Sequence, residues 1–424
     1  MSLSKELKER GVIYQMSSPE LVGILDNTKT SIYVGFDPSA DSLTVGNLLQ
    51  IVTMRRLQMF GHRPVFVAGG ATGMIGDPSG KSSERNLLSK EQLQYNLDSV
   101  SKQLHRYLEF DTGRKSDALL VDNASWFSNM KLLDFLRDVG KYFNVSPMLQ
   151  KDSVRNRLGE GQSLSFTEFS YMLLQAYDFF QLSQPPYDVQ VQFGGSDQWA
   201  NIVSGIDYIR RVSGKGVYGM TTPLVTKADG TKFGKSEGNA IWLDPSKSSP
   251  YEMYQFFVRS EDVMVGTYLR YFTFLEIDEI EALEKEVELH ADKRQAHRVL
   301  AHCVVSFVHG EDEARKAEQA SSLLYSGGLK DAPKDVVLLA LSEALQVELP
   351  VAVIDSTLDP ADLLALTPLV KSKSEARRTM IQGGLYINDE KVRVDQRVTR
   401  DDLLFGELLV LRRGKREYCL VRIV

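Results

Sequence analysis

Five stretches hold residues whose types and spacing could do chemistry, the first being residues 31–47, SIYVGFDPSADSLTVGN. It opens with a β-type run, breaks at Gly35, and passes Asp37, Pro38, Asp41 and Ser42 into the apolar helical pattern of Leu48, Leu49, Ile51 and Val52. A strand that turns into a helix start offers free N–H groups and about half a positive charge to an anion. Gly46 lets backbone approach a ligand, and Asn47 can donate side-chain hydrogen bonds. In the second stretch, residues 166–180, Tyr171, Gln175 and Asp178 fall at i, i+4 and i+7 of an apolar helical run. They share one face, and a buried Gln or Asp left unpaired costs roughly 1–3 kcal/mol. An internal polar network and a pocket for a small polar ligand both satisfy that pattern.

The third stretch, residues 69–82, ends like a phosphate-binding P-loop, but the glycine that begins G-x4-G-K-S would fall at Ile75. With no G-x-G-x-x-G after a strand either, a P-loop or nicotinamide enzyme finds little support. Asp77 remains as a carboxylate at a strand end, and Lys81 and Arg85 follow in a polar segment that either meets phosphates or is simply solvated. In the fourth, residues 194–199, Asp197 is placed to bond a ribose beside two glycines. The fifth, the glycine-punctuated loop 226–240, sets Lys232 and Lys235 around Phe233-Gly234. The six histidines lie outside all of these, and no nucleophile–histidine arrangement points to covalent catalysis.

To position these residues the chain alternates strand-like and helix-like segments. Strands are expected at 31–34, 63–68, 118–122 and 189–193, with helices at 48–60, 91–108, 132–143 and 165–180. That alternation, with glycine-rich turns after strands, predicts a doubly wound parallel sheet with ligands beyond the carboxyl ends of its strands. Helical patterns dominate 249–325, residues 326–360 read as a linker, and the last 60-odd residues as a compact α+β unit with a hairpin at 385–392. Residues 1–16 read as a short charged helix.

The bulk properties are those of a globular enzyme of two or three domains. The net charge of −6 is unevenly spread: residues 371–424 carry 13 basic against 8 acidic residues, so their +5 leaves −11 for the rest. A basic module on an acidic body points to a local polyanion contact. Cys303 and Cys419 are far apart and fit no metal-ligand spacing, as expected in a reducing compartment. No apolar run approaches the ~20 residues of a membrane span, and a cytoplasmic location is expected.

In combination, YVGFDPSADSL, GGATGMIGDPSGK, SFTEFSYMLLQAYDF, QFGGSDQWAN, TKADGTKFGKS and RRGKREY resemble the bacterial-type tyrosyl-tRNA synthetases, class I aminoacyl-tRNA synthetases, over nearly the whole chain. The resemblance implies a Rossmann-type catalytic domain (1–225), a KFGKS loop and connection (226–248), an α-helical domain (249–325), a linker (326–360) and an S4-like RNA-binding domain (361–424). It implies tyrosine activation with ATP and Mg²⁺, without a protein-bound metal or cofactor, then transfer to tRNA(Tyr), by a homodimer.

By the same resemblance Tyr33 and Asp178 hold the phenolic hydroxyl of tyrosine, Asp77, Tyr171 and Gln175 its ammonium, and Gln192 and Gln198 line the pocket near the carboxylate. Gly35, Asp37, Gly46, Gly195 and Asp197 face ATP or the adenylate, with Leu224 and Val225 near adenine. Lys232 and Lys235 match the family's mobile lysine loop, with Lys81 and Arg85 as further pyrophosphate partners and Ser39, Thr44 and Asn47 as neutral donors. Arg377, Arg378, Arg412, Arg413, Lys415 and Arg416 are the implied RNA contacts. One departure stands out: the family's His-x-Gly-His is here Thr44-Val45-Gly46-Asn47, so neither imidazole is present. Two rivals remain: a catalytically inactive synthetase-like RNA-binding protein, and another ATP-dependent α/β enzyme such as a kinase.

Overall fold

The computed structural model describes residues 2–79, 88–159, 161, 163–231, 233–236, 239–342, 344–355, 358–393, 395–414 and 417–424. Two compact units emerge, residues 1–249 with 256–308, and residues 250–255 with 309–424. The helical stretch expected as one domain is therefore divided: 256–308 pack with the first unit, 309–325 with the second.

Among the described residues of the first unit, six strands form one sheet: β1 (Gln15–Met16), β2 (Ser31–Phe36), β3 (Arg63–Ala68), β4 (Leu119–Asp122), β5 (Val189–Gly195) and β6 (Tyr218–Thr222). Their order is β1-β6-β5-β2-β3-β4, parallel except where β1 meets β6. Ile32, Val34, Val65, Phe66, Val67 and Val191 are buried, as in a parallel sheet covered on both faces. The chain winds outward from β2 through β3 to β4, then crosses back to lay β5 along the other side of β2. That reversal opens a crevice beyond the carboxyl ends of β2 and β5.

Two strands of this sheet were not foreseen. The N-terminal helix stops at Glu9, and residues 15–16 pair with β6 instead of continuing it. β6 itself, YGMTT, has too little apolar alternation to read as a strand. Its identity comes from β5 beside it.

Helix Phe166–Leu182 starts at Ser165, whose hydroxyl accepts from the Glu168 backbone N–H at 3.2 Å. Glu168 is buried and ion-paired with buried Arg157 at 2.8 Å, so the helix start is fixed from two sides. At the far end of helix Leu48–Met59, Arg56 is 1% exposed and pairs with Glu6 at 3.1 Å. Arg56 and Arg10 both donate to the Thr273 carbonyl, joining the N-terminal helix to helix Asp262–Phe272. Burial beside Arg10 brings the Arg56 guanidinium down to about 9.

In the second unit, β9 (Leu345–Leu349), β10 (Leu385–Ile387), β11 (Glu390–Lys391), β12 (Leu408–Arg413) and β13 (Glu417–Ile423) form a sheet of order β11-β10-β12-β13-β9. The segment 326–360 is thus no simple linker: it contributes helix Lys334–Ala340 and β9, which lies parallel to β13. The hairpin expected at 385–392 turns at Asn388 and Asp389, with φ of 48° and 67°. Short Asx side chains tolerate that left-handed backbone. Helix Lys373–Ile381 ends at Gly383, φ +70°.

Candidate active site

A cavity of about 620 Å³ lies in the crevice between β2 and β5. Tyr33, Gly35, Asp37 and Ser39 reach it from β2 and its turn, and Gly46, Asn47 and Gln50 from the following helix start. Asp77 enters after β3, and Tyr171, Gln175 and Asp178 line it from one face of helix Phe166–Leu182. Gln192, Gly195, Asp197 and Gln198 come from β5 and its turn, and Leu224, Val225 and Phe233 from beyond β6.

At the closed end Tyr33 and Asp178 are 2% and 3% exposed. The Tyr33 hydroxyl accepts from Gln192 Nε2 at 3.0 Å, and its ring lies 5.7 Å from Phe179. Asp178 accepts from Trp126 Nε1 at 2.8 Å and Asn123 Nδ2 at 3.1 Å. Burial pushes the Asp178 carboxyl up to about 7 against the pull of those two donors. Burial, with the Asp178 and Asp37 charges, holds the Tyr33 phenol well above its usual range. Gln192 Oε1 is buried with no partner among the described residues. An acceptor left so costs about 1–3 kcal/mol unless a ligand brings a donor. The recess suits a flat ring with a polar tip.

Midway, Tyr171 donates to Asp37 Oδ1 at 3.1 Å, and Gln198 Nε2 donates to Asp77 Oδ2 at 2.7 Å. The Asp77 backbone N–H donates to Asp37 Oδ2 at 3.3 Å. Asn201 Nδ2 donates to Gln175 Oε1 at 3.1 Å and thereby orients that amide. Asp37, Asp77 and Asp178 face one cavity, a concentration of acceptors suited to a cationic group. A Cβ on Gly69 would stand 2.7 Å from Thr72 Oγ1 and 3.3 Å from Asp37 Oδ1, so the turn after β3 has no room for a side chain.

The open end is held by backbone. Val45 N–H donates to the Ile241 carbonyl at 3.0 Å, Leu243 N–H to that of Leu43 at 2.8 Å, and Thr44 pairs with Trp242. Gly234, φ +95°, packs so closely that a Cβ there would lie 3.3 Å from Gly46 N. Phe233, 8% exposed, sits among Phe256, Phe257, Tyr268 and Phe272 at ring separations of 4.7–5.9 Å. A Cβ on Gly195 would lie 2.5 Å from Asp197 Oδ1 and 3.6 Å from Gln50 Nε2.

Three of the cations expected here, Lys81, Arg85 and Lys232, lie outside the described residues. Of Lys235 the backbone is described, paired with Ala240 across β7 (Lys235–Ser236) and β8 (Asn239–Ala240). Thr44 is not in the cavity wall. Its hydroxyl donates to Asn47 Oδ1 at 3.2 Å, so it does not stand beside Asn47 as a second donor into the cavity.

The family described as tRNA synthetases class I (W and Y) matches residues 25–326, and the C-terminal domain of tyrosine–tRNA ligases matches residues 343–421. A tyrosine–tRNA ligase of Roseiflexus castenholzii is 48% identical over 421 residues, covering 99% of each chain. One from Escherichia coli is 45% identical over 99% of this chain and 98% of its own. The chain belongs to the tyrosyl-tRNA synthetases. A solved C-terminally truncated mitochondrial tyrosyl-tRNA synthetase of Aspergillus nidulans superposes with a TM-score of 0.69 at 33% identity, covering 76% of this chain and 94% of that one.

In this synthetase the match at 343–421 begins ahead of β9, consistent with that strand completing the second sheet. Of the basic residues singled out there, Arg377 and Arg378 are exposed on helix Lys373–Ile381, Arg377 lying 3.5 Å from Asp359. Arg412 and Arg413 are engaged internally. The Arg412 guanidinium lies 3.8 Å from the Tyr386 ring and donates to the Gly414 carbonyl at 2.7 Å. Arg413 donates to the Leu369 carbonyl at 2.8 Å and to Glu375 at 3.0 Å. Lys415 and Arg416 lie outside the described residues.

Sequence reasoning missed the residues that fix the synthetase's recess. Asn123 and Trp126 hold Asp178, and Asn201 holds Gln175. Asn123 directly follows β4, a position that could have marked it; nothing in the sequence marks Trp126. Gln50, one turn beyond Asn47, has a buried Oε1 without a partner among the described residues.

Proposed function

We propose that this cavity is where the chain, a tyrosine–tRNA ligase, makes tyrosyl-adenylate, and that the recess built by Tyr33, Asp178 and Gln192 carries the assignment. The substrate's phenolic hydroxyl donates to the Asp178 carboxylate and accepts from Tyr33. Phenylalanine would strand those buried groups without partners. Asp77, Tyr171 and Gln175 hold the ammonium, and Gln198 lies near the carboxylate. The carboxylate attacks the α-phosphorus of ATP, a P–O bond forms, and pyrophosphate leaves. Transfer of the tyrosyl group to a hydroxyl of the terminal tRNA adenosine releases AMP.

The first step needs no protein nucleophile; it needs alignment and stabilisation of charge on the phosphates. Gly35, Asp37, Gly46, Gly195 and Asp197 accommodate the adenylate, Leu224 and Val225 lie beside adenine, and Ser39 donates to phosphate. Lys81, Arg85, Lys232 and Lys235 meet the pyrophosphate, with Mg²⁺ carried by the nucleotide. Arg377, Arg378, Lys415 and Arg416 contact tRNA, in an RNA-binding domain whose sheet begins at β9. Large apolar side chains left exposed in the first unit, with Leu132, Leu133 and Phe166 each above 70%, support a homodimer. No helix among the described residues is long and apolar enough to cross a membrane, which accords with work in the cytoplasm.

Tyrosine-dependent exchange of pyrophosphate into ATP tests the reading. Exchange with tyrosine and not with phenylalanine is expected. Clean tRNA binding without exchange would mean an inactive RNA-binding relative, and exchange with another amino acid would move the specificity.

A further inference from the structure

We propose that Asn201 is a positioning residue, which sets the amides of Gln175 and Gln198 and so fixes where the ammonium and carboxylate of tyrosine bind. The inference rests on the activation reading above. Asn201 is 5% exposed on helix Trp199–Ser213 and is not part of the cavity wall. Its Nδ2 faces three oxygens: Gln175 Oε1 at 3.1 Å, Gln198 Oε1 at 3.3 Å and Ser79 Oγ at 3.4 Å. These belong to helix Phe166–Leu182, the turn after β5 and the segment after β3. One buried amide thus ties together the three segments around the middle of the cavity. Ser79 in turn donates its backbone N–H to Asp77 Oδ1 at 2.9 Å, which closes the network on a carboxylate.

The direction of each bond follows from the carboxylates. An ionised carboxylate only accepts, so the Gln198 group that faces Asp77 at 2.7 Å and Asp197 at 3.1 Å is its NH₂. The Gln198 oxygen is then turned to Asn201, which offers its own NH₂ to it and to Gln175. An amide oxygen accepts two hydrogen bonds, so Gln175 Oε1 keeps a place for the substrate ammonium. When that ammonium takes Asp77, a Gln198 hydrogen is released for the substrate carboxylate. Asn201 keeps the Gln198 amide from turning over during that exchange, and does so from behind the cavity wall.

The test compares tyrosine-dependent pyrophosphate exchange by the unaltered chain with that of N201A and N201D. N201A removes the shared donor and is expected to raise the tyrosine KM about 10-fold. N201D keeps the shape but sets acceptor against acceptor, and should raise that KM on the order of 100-fold. In both variants the ATP KM and the preference for tyrosine over phenylalanine are expected to hold, because neither the nucleotide's part of the cavity nor the phenol recess is touched. A merely structural role would move all three readouts together. A tyrosine KM at the unaltered value in N201A, an equal rise in the ATP KM, or N201D no worse than N201A would overturn the inference while leaving the activation reading intact. Should N201D fail to fold, N201A decides alone. An unaltered chain without exchange overturns that reading and this inference together.

Discussion

The two ends of the cavity are built by different means. At the closed end side chains do the holding: Asp178, Tyr33 and Gln192 are buried, Asp178 held by Trp126 and Asn123, and Tyr33 by Gln192. At the open end backbone does it: residues 43–45 pair with 241–243, and Gly234 lies against Gly46. A recess of desolvated side chains discriminates, because every unpaired group there is expensive. A backbone junction between a helix start and a lysine-bearing loop positions groups without being selective, which suits a part that must admit ATP and release pyrophosphate.

That contrast predicts separable damage. The largest effect belongs to Asp178→Ala, which strands the Trp126 and Asn123 donors and removes the acceptor for the substrate hydroxyl. We expect kcat/KM for tyrosine to fall on the order of 100-fold or more, and preference over phenylalanine to collapse. Retained preference in the exchange assay would refute the assignment of the closed end.

Phe233→Ala should act on the open end. Emptying that aromatic setting frees the loop, and we expect kcat for adenylate formation to fall on the order of 10- to 100-fold while the tyrosine Kd holds. A shift in tyrosine Kd comparable to that in kcat would show that the two ends are one coupled unit.

pH should sharpen the same boundary. With its carboxyl at about 7, Asp178 is largely protonated below that value and must lose its proton to accept from the phenol. Tyrosine affinity is expected to weaken as pH drops below about 7, by up to about tenfold per unit, and Asp178→Asn should flatten the profile. The sign for stability is opposite to that of a salt-bridged acid. The folded value lies above the ordinary one, so this group favours the folded chain at low pH and loses that contribution as pH rises through about 7. Tyrosine should therefore raise Tm more at pH 8 than at pH 6, as read by differential scanning fluorimetry.

The smallest effect is expected from Gln50→Ala, near Gly195 at the open end. A several-fold rise in the KM for ATP, about 2- to 10-fold, with the tyrosine KM unchanged, is what one neutral hydrogen bond supplies. An equal rise in both constants would place Gln50 outside the nucleotide's part of the cavity.

How much was legible differs by element. Strands β2 to β5 could be read because parallel strands covered on both faces are apolar runs closed by glycine. β1, β6 and β9 could not, since short strands take their identity from the neighbour they pair with. The face made by Tyr171, Gln175 and Asp178 was readable from helical spacing alone, and all three line the cavity. Thr44, expected as a donor, lies off the cavity wall with its hydroxyl on Asn47, because spacing along the chain says nothing about where a hydroxyl points. Arg412 and Arg413 counted as basic residues in the sequence, yet stacking on Tyr386 and bonding to Leu369 draw them into the second unit's own structure.

What the sequence by itself determined is the set of groups and their local order: the strand–turn–helix starts, the polar face of one helix, the glycine-bounded loop and the absent histidines. These depend on residue type and short-range geometry, and both are present in the string. Only the tertiary structure decided which groups are buried together. It brought Trp126 and Asn123 to Asp178, set Gly234 against Gly46, and turned the Asn47 amide so that its oxygen faces Thr44. Burial and orientation arise from contacts between residues far apart in the chain, such as Val45 with Ile241 and Arg10 with Thr273, and no spacing rule along the chain contains them.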